Sequence, residues 1–160
     1  MVQNHNKWLQ ALAVLQPLAN LPDWGIGGSL LLVEQQLQTD FRDIDLVCTE
    51  AVAQMLDSAI QQVAAPVATT PHPRYCSRFF RRYQHSSGLI IELMAGIQVQ
   101  SQVDVAEHLS PWPFDPATVT KRHGLPWMAL SDWLVLYQWF ERPEKVALIR
   151  AAQRRHCALD

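Results

Sequence analysis

Hydrophobic and polar positions recur along the chain with two different periods, and the switches between them mark out its elements. Residues 6–18 set Trp8, Leu9, Leu12, Val14, Leu15 and Leu18 mostly at helical spacing, which predicts an amphipathic first helix. Pro22 and Asp23 interrupt the chain, and residues 24–27 predict a short strand. A second helix is expected over residues 29–38, with Ser29 as its N-cap. Residues 43–49 predict a strand that turns Ile44 and Leu46 to the core. A third helix over 50–64 carries Val52, Met55, Leu56, Ile60 and Val63 on one side.

The second half is more broken. Residues 65–73 are rich in Pro and Thr and read as loop. The runs 77–84 and 88–94 flank the turn-prone His85-Ser86-Ser87-Gly88, as a hairpin would. Weak alternation over 97–105 fits one more strand. The three prolines of SPWPFDPAT make a loop that packs Trp112 and Phe114, and residues 119–128 are extended at best. A capped helix over 131–142 follows, and Pro143 takes the first position of the last helix. This order predicts an α/β (α+β) fold, a mixed β-sheet flanked by helices with a helical C-terminal tail.

Length and composition narrow the class. A chain of 160 residues suits one domain, with a core over about residues 20–105 and a helical segment over about 130–157. The formal net charge of −2 provides no general basic field, which weighs against a polymerase or any long nucleic-acid partner. It leaves room for a small anion held by a few arginines. Cys48, Cys76 and Cys157 are widely spaced and lack a CxxC pattern, so they read as free thiols of a reducing compartment. The first residues are too polar for a secretory signal, and no apolar run reaches membrane-spanning length. A cytoplasmic location without membrane contact is the expectation.

Three features carry candidate chemistry. Gly27 and Gly28 lie between a strand and a helix, where a sharp turn with exposed N–H groups favours an anion, phosphate above all. A tight turn with no ligand is the simpler alternative for these residues alone. Asp43 and Asp45 project from one face of a strand, and two such carboxylates stay charged most cheaply around a divalent cation. A solvated acidic strand end explains a lone DxD equally simply. Glu92 lies among Ile90, Ile91, Leu93 and Met94, where a charge needs a partner. Either it joins the two aspartates as a metal-binding triad, or it pairs with Arg78 or Arg82 of the preceding run. The tryptophans at positions 8, 133 and 139 fall at core spacing, whereas Trp112 and Trp127 stand near loops and could border a pocket.

The combination GIGGSLLL, RDIDLVC and IIELMAG, over about residues 24–95, resembles the nucleotidyltransferase-fold superfamily of DNA polymerase beta and the small bacterial nucleotidyltransferases. The resemblance implies that Gly27, Gly28 and Ser29 form the nucleotide-binding turn. It implies that Asp43, Asp45 and Glu92 are the catalytic, Mg²⁺-binding residues, with two ions as cofactor. Arg78 is a further candidate contact to the triphosphate, and Lys121, Arg122 and His123 are weaker ones. The segment GLPWMALSDWLVLYQWFERPEKVALIRA resembles the C-terminal part of small bacterial members. It departs at Tyr137, where those relatives usually carry lysine, and at Glu144-Lys145, where they carry Lys-Asp.

The function implied is Mg²⁺-dependent transfer of a nucleoside monophosphate from an NTP to a hydroxyl acceptor, either a small molecule or a protein. An aminoglycoside or a lincosamide-like compound would serve as such an acceptor. The alternative is a domain of the same fold with little activity that binds a protein partner, as in a toxin–antitoxin pair.

Overall fold

The computed structural model describes residues 2–100 and 110–158. Strands β1 (Trp24–Gly27), β2 (Asp43–Cys48), β3 (Ala65–Val67), β4 (Phe79–Gln84), β5 (Ile90–Ala95), β6 (Thr120–Arg122) and β7 (Leu125–Trp127) form one mixed sheet. Their order across it is β3-β4-β5-β2-β1-β7-β6. Helices α1 (Val2–Leu15), α2 (Gly28–Glu34), α3 (Ala53–Ile60), α4 (Leu130–Trp139) and α5 (Pro143–Cys157) flank it. The α/β (α+β) architecture read from the sequence is thus the one observed. Among the described residues, no helix is long and apolar enough to cross a membrane.

Alternation decides the centre of the sheet. In β2, Ile44 and Leu46 are fully buried while Asp43 and Asp45, which alternate with them, keep some exposure. In the parallel neighbour β5, Ile91 and Leu93 are buried and Glu92 points the other way. One face of both strands therefore belongs to the core, and the other carries the acids. Strand β1 is buried throughout, because it lies between β2, antiparallel to it, and β7, parallel to it.

Several local expectations need correction. Helix α2 stops at Glu34, and Gln36 takes a positive φ of 60° just beyond it. Its N-cap is Gly27, while the Ser29 hydroxyl sits inside the first turn and donates to the Asp43 carbonyl at 3.3 Å. The segment expected as a third helix divides into a 3-10 turn, Glu50–Val52, and the two turns of α3. Residues 65–67 are not loop: they form the edge strand β3, where Pro66 is tolerated because an edge has unused positions.

Residues 119–128 fold into β6 and β7, and Trp127 is fully buried against β1 rather than bordering a pocket. Of the strand expected over 97–105, residues 97–100 make only the isolated bridge of Val99 with Tyr75, and the rest lies outside the described residues. Helix α4 starts one residue early, with Ala129 as N-cap, and Pro143 opens α5 as expected.

Candidate active site

Strand register assembles the site. Gly27, Asp45, Glu92 and Arg82 are successive cross-strand partners on β1, β2, β5 and β4. Residues directly opposite one another share a face of the sheet, with strands about 5 Å apart. Asp45 and Glu92 are therefore neighbours, Asp43 joins them two residues earlier on β2, and Arg82 closes the row. The Arg82 guanidinium stands 3.6 Å from Glu92 Oε1 and 3.9 Å from Asp43 Oδ1. Of the two arginines open to Glu92 from sequence, register selects Arg82. Arg42 lies 3.5 Å from Asp43, but its side chain is 88% exposed, and such a pair contributes little.

Arg78 is not brought to this row. It precedes β4, donates its backbone N–H to Gly96 and pairs with Glu50 at 3.3 Å, at the opposite end of the central strands. Lys121 pairs across the β6–β7 hairpin with Pro126. Arg122 makes a bidentate pair with the buried Glu34, at 2.6 and 2.9 Å, and His123 lies beside it. These last two tie α2 to the β6–β7 hairpin and are structural.

The two glycines have separate steric causes. A Cβ at Gly27 would fall 1.9 Å from the indole Nε1 of Trp133, so α4 rests directly on the end of β1. A Cβ at Gly28 would fall 1.9 Å from Asp45 Oδ2, and Gly28 has a φ of +59°, which favours glycine. The turn thus presses its backbone against the Asp45 carboxylate. Gln38 extends the same region: its amide donates to the carbonyls of Asp40 (2.6 Å) and Ser29 (3.5 Å), and its oxygen accepts from Lys145 at 2.6 Å.

Electrostatics follow from this crowding. Burial pushes the Asp45 carboxyl well above the ordinary range, and the charges of Glu92 and Asp43 push it further; Arg142 and Arg42 oppose them. Burial also raises Glu92, with Asp43 adding to it and Arg82 opposing. Arg142, at the start of α5, is a member of this field that no local pattern announces. Only the docking of α4 and α5 brings it to Asp45.

The donor set is wholly carboxylate oxygen, the type that hard divalent cations take. Among the described residues, however, no three His, Cys, Asp or Glu side chains close into a ready cage for an ion. Asp43 and Asp45 fit a cation such as Mg²⁺ as a partial set, the kind that phosphate oxygens and water complete. Glu92 shares its charge with Arg82 instead of completing the cage. The expected convergence of three carboxylates is therefore present as a row, with one member engaged by a guanidinium.

Beside the row lies a cavity of about 610 Å³ between α4 and α5, whose walls include Tyr137, Arg142, Val146, Arg150 and Arg154. Tyr137 is one turn beyond Trp133, the residue that covers Gly27, and the two rings are 5.1 Å apart. One wall residue of the cavity thus packs on the side chain that covers the glycine turn.

No family model and no curated protein matches the sequence. The fold does have solved counterparts. The Thermotoga maritima protein TM1012, which carries the name "putative nucleotidyltransferase", superposes with a TM-score of 0.67 at 20% identity, and the match covers 94% of each chain. JHP933 of Helicobacter pylori gives a TM-score of 0.41 at 16% identity, over 82% of this chain and 55% of that one. The likeness at the higher score extends over nearly the whole of this chain. This chain has a nucleotidyltransferase-like fold.

Proposed function

We propose that the protein is a nucleotidyltransferase that moves a nucleoside monophosphate from Mg²⁺–NTP to an acceptor hydroxyl. The observation that supports this best is the row Gly27, Asp45, Glu92 and Arg82, with Asp43 beside it and the Gly28 backbone pressed on Asp45. In this reading, Asp43 and Asp45 hold the Mg²⁺ together with the phosphates of the NTP. The ion, when bound, supplies Lewis-acid stabilisation of charge on the phosphoryl oxygens.

The protein's own residues orient and neutralise. The Gly27-Gly28-Ser29 turn lies close enough to Asp45 to receive the triphosphate in the same place as the ion. Arg82, released from Asp43 and Glu92 when a cation binds, is free to face a phosphate oxygen, a task that suits a planar guanidinium. Glu92, whose carboxyl burial and the Asp43 charge raise above its ordinary value, accepts the acceptor's hydroxyl proton as the new P–O bond forms. Pyrophosphate leaves. Positioning and fixed charge provide most of the acceleration, as in phosphoryl transfer generally.

One observation favours a second reading. Arg82 already stands against two of the three carboxylates, as it would in a domain of this fold that binds a protein and catalyses nothing. One experiment separates the two. Purified protein with labelled ATP or GTP, Mg²⁺ and a panel of hydroxyl acceptors should release pyrophosphate, and Asp45→Asn should abolish the release. Equal release from both proteins, or no Mg²⁺–NTP binding in calorimetry, rejects catalysis at this site.

A further inference from the structure

The cavity between α4 and α5 has a chemical character that the row of acids does not explain. Its walls carry Arg142, Arg150 and Arg154 against a single carboxylate, Glu141. That carboxylate is already taken by Arg74 at 2.7 Å, and Arg142 pairs with Glu144 at 2.7 Å. Arg150 and Arg154 have no carboxylate partner among the described residues, and both are exposed. Residues 142, 146, 150 and 154 follow one another at four-residue steps, so they lie along one side of α5. Pro143, Val146 and Ala147 supply an apolar strip among the charges.

This cationic wall is placed with respect to the acids. Tyr137, on the helix that rests on Gly27, and Arg142, at the start of α5, are the lining residues whose charges interact with that of Asp45. Arg150 lies two turns further along α5, about 12 Å along the helix axis, and Arg154 one turn beyond it. A molecule lying in the cavity can therefore present one end to the carboxylates and the other to two free guanidinium groups.

We infer that this cavity is the acceptor site, and that the acceptor is a hydroxyl compound bearing a phosphate or carboxylate group, held by Arg150 and Arg154. Its hydroxyl end faces Asp45 past Tyr137 and Arg142, and its carbon frame lies on Val146 and Ala147. The inference rests on the nucleotidyltransferase reading above and narrows its acceptor. A polycationic acceptor such as an aminoglycoside meets repulsion along the whole wall, so that class is disfavoured here. In the transfer, the acceptor oxygen forms its bond to the α-phosphorus, the bond from that phosphorus to the pyrophosphate oxygen breaks, and the hydroxyl proton passes to Glu92.

Calorimetric titration tests the cavity without any need for turnover. The probes are ribose 5-phosphate, gluconate, uncharged ribose and the polycation neamine, each added to the full chain. Ribose 5-phosphate or gluconate should bind, ribose should bind at least tenfold more weakly, and neamine should not bind. In R150E/R154E, and more mildly in R150Q/R154Q, affinity for the anionic probe should fall at least tenfold while the thermal melt stays cooperative. Ribose 5-phosphate against gluconate distinguishes a phosphate from a carboxylate ligand. Unchanged affinity in both double variants, binding of neamine above the anions, or no binding of either anion overturns the inference. So does a single-stranded oligonucleotide that binds more tightly than any small anion, since that assigns the wall to a polymer. Failure of the nucleotidyltransferase reading shows separately, as absence of Mg²⁺–ATP binding by the unaltered protein.

Discussion

Asp57 is buried and Asp45 half-buried, and the structure treats the two aspartates in opposite ways. Asp57 of α3 is 2% exposed and surrounded by donors: the Tyr83 hydroxyl, the Gln61 amide at 3.0 Å and the Gln54 amide at 3.3 Å. Asp45 lies under the glycine turn with Asp43 and Glu92 as neighbours, and among the described residues no hydrogen bond reaches its carboxylate. A buried carboxylate that receives three donors stabilises the fold that holds it. One that is crowded by like charges and given no donor is a cost to the fold, and it gains stability only when a cation arrives. Under the function proposed above, the contrast separates an acid that serves the structure from one that serves a ligand.

Substitution of both aspartates is the strongest way to break this comparison. Asp45→Asn should lower nucleotidyl transfer on the order of 10²–10³-fold or more while leaving stability equal or higher. Asp57→Ala strands the Tyr83 hydroxyl in the core and should cost about 3 kcal/mol in urea denaturation. If Asp45→Asn destabilises as much as Asp57→Ala, the distinction is wrong.

The glycine turn gives the next largest effect. Gly28→Ala must both hold a positive φ and push the Asp45 carboxylate away, so a loss of about 2 kcal/mol or more is expected, together with weaker Mg²⁺–ATP binding. Gly88→Ala is the fitting control. Gly88 has a φ of +93° but nothing within 4 Å of a new Cβ, so only the conformational cost of about 1 kcal/mol applies.

A pH titration sharpens the comparison without altering the fold. Asp45 and Glu92 have raised carboxyl pKa values in the folded chain, so the folded state holds their protons more tightly than the unfolded one does. Their destabilising effect is absent below the ordinary carboxylate value of about 4 and grows as pH rises from there to the raised values. Stability measured by urea midpoint should therefore fall over that window, and Asp45→Asn should flatten the fall. The smallest effect is expected from Arg82→Ala. Its side chain is 34% exposed and its contacts are 3.6 and 3.9 Å, so a loss below about 1 kcal/mol should accompany a clear rise in KM for the nucleotide.

Much of this site was legible in the chain, and the rest has identifiable reasons for being hidden. Alternation at the start of DIDLVC put Asp43 and Asp45 on one face of their strand, whereas the place of Glu92 beside them follows only from the parallel pairing of β2 with β5. The same reasoning could not select Arg82 over Arg78, because only the pairing of β4 with β5 shows that strand pairing begins at Phe79. Strands β3, β6 and β7 are three residues each and form through distant partners, which propensity does not record. Ser29 looked like a cap because it precedes an apolar run, yet Gly27 fills that position and frees the hydroxyl for Asp43. The cationic cavity depends on how α4 and α5 pack on each other, and the effect of Arg142 on Asp45 on how they dock on the sheet, neither of which a local pattern records.

The placement of β1 has a consequence for how the molecule comes into being. Ile26 pairs on one side with Leu46 and on the other with Trp127, about a hundred residues further along the chain. Closing so long a span is slow compared with forming local turns and hairpins. The sheet cannot be completed until β7 reaches β1, nor can Gly27 be covered until Trp133 of α4 is laid over it. A chain that has not yet formed β7 therefore carries its acidic residues on an incomplete sheet.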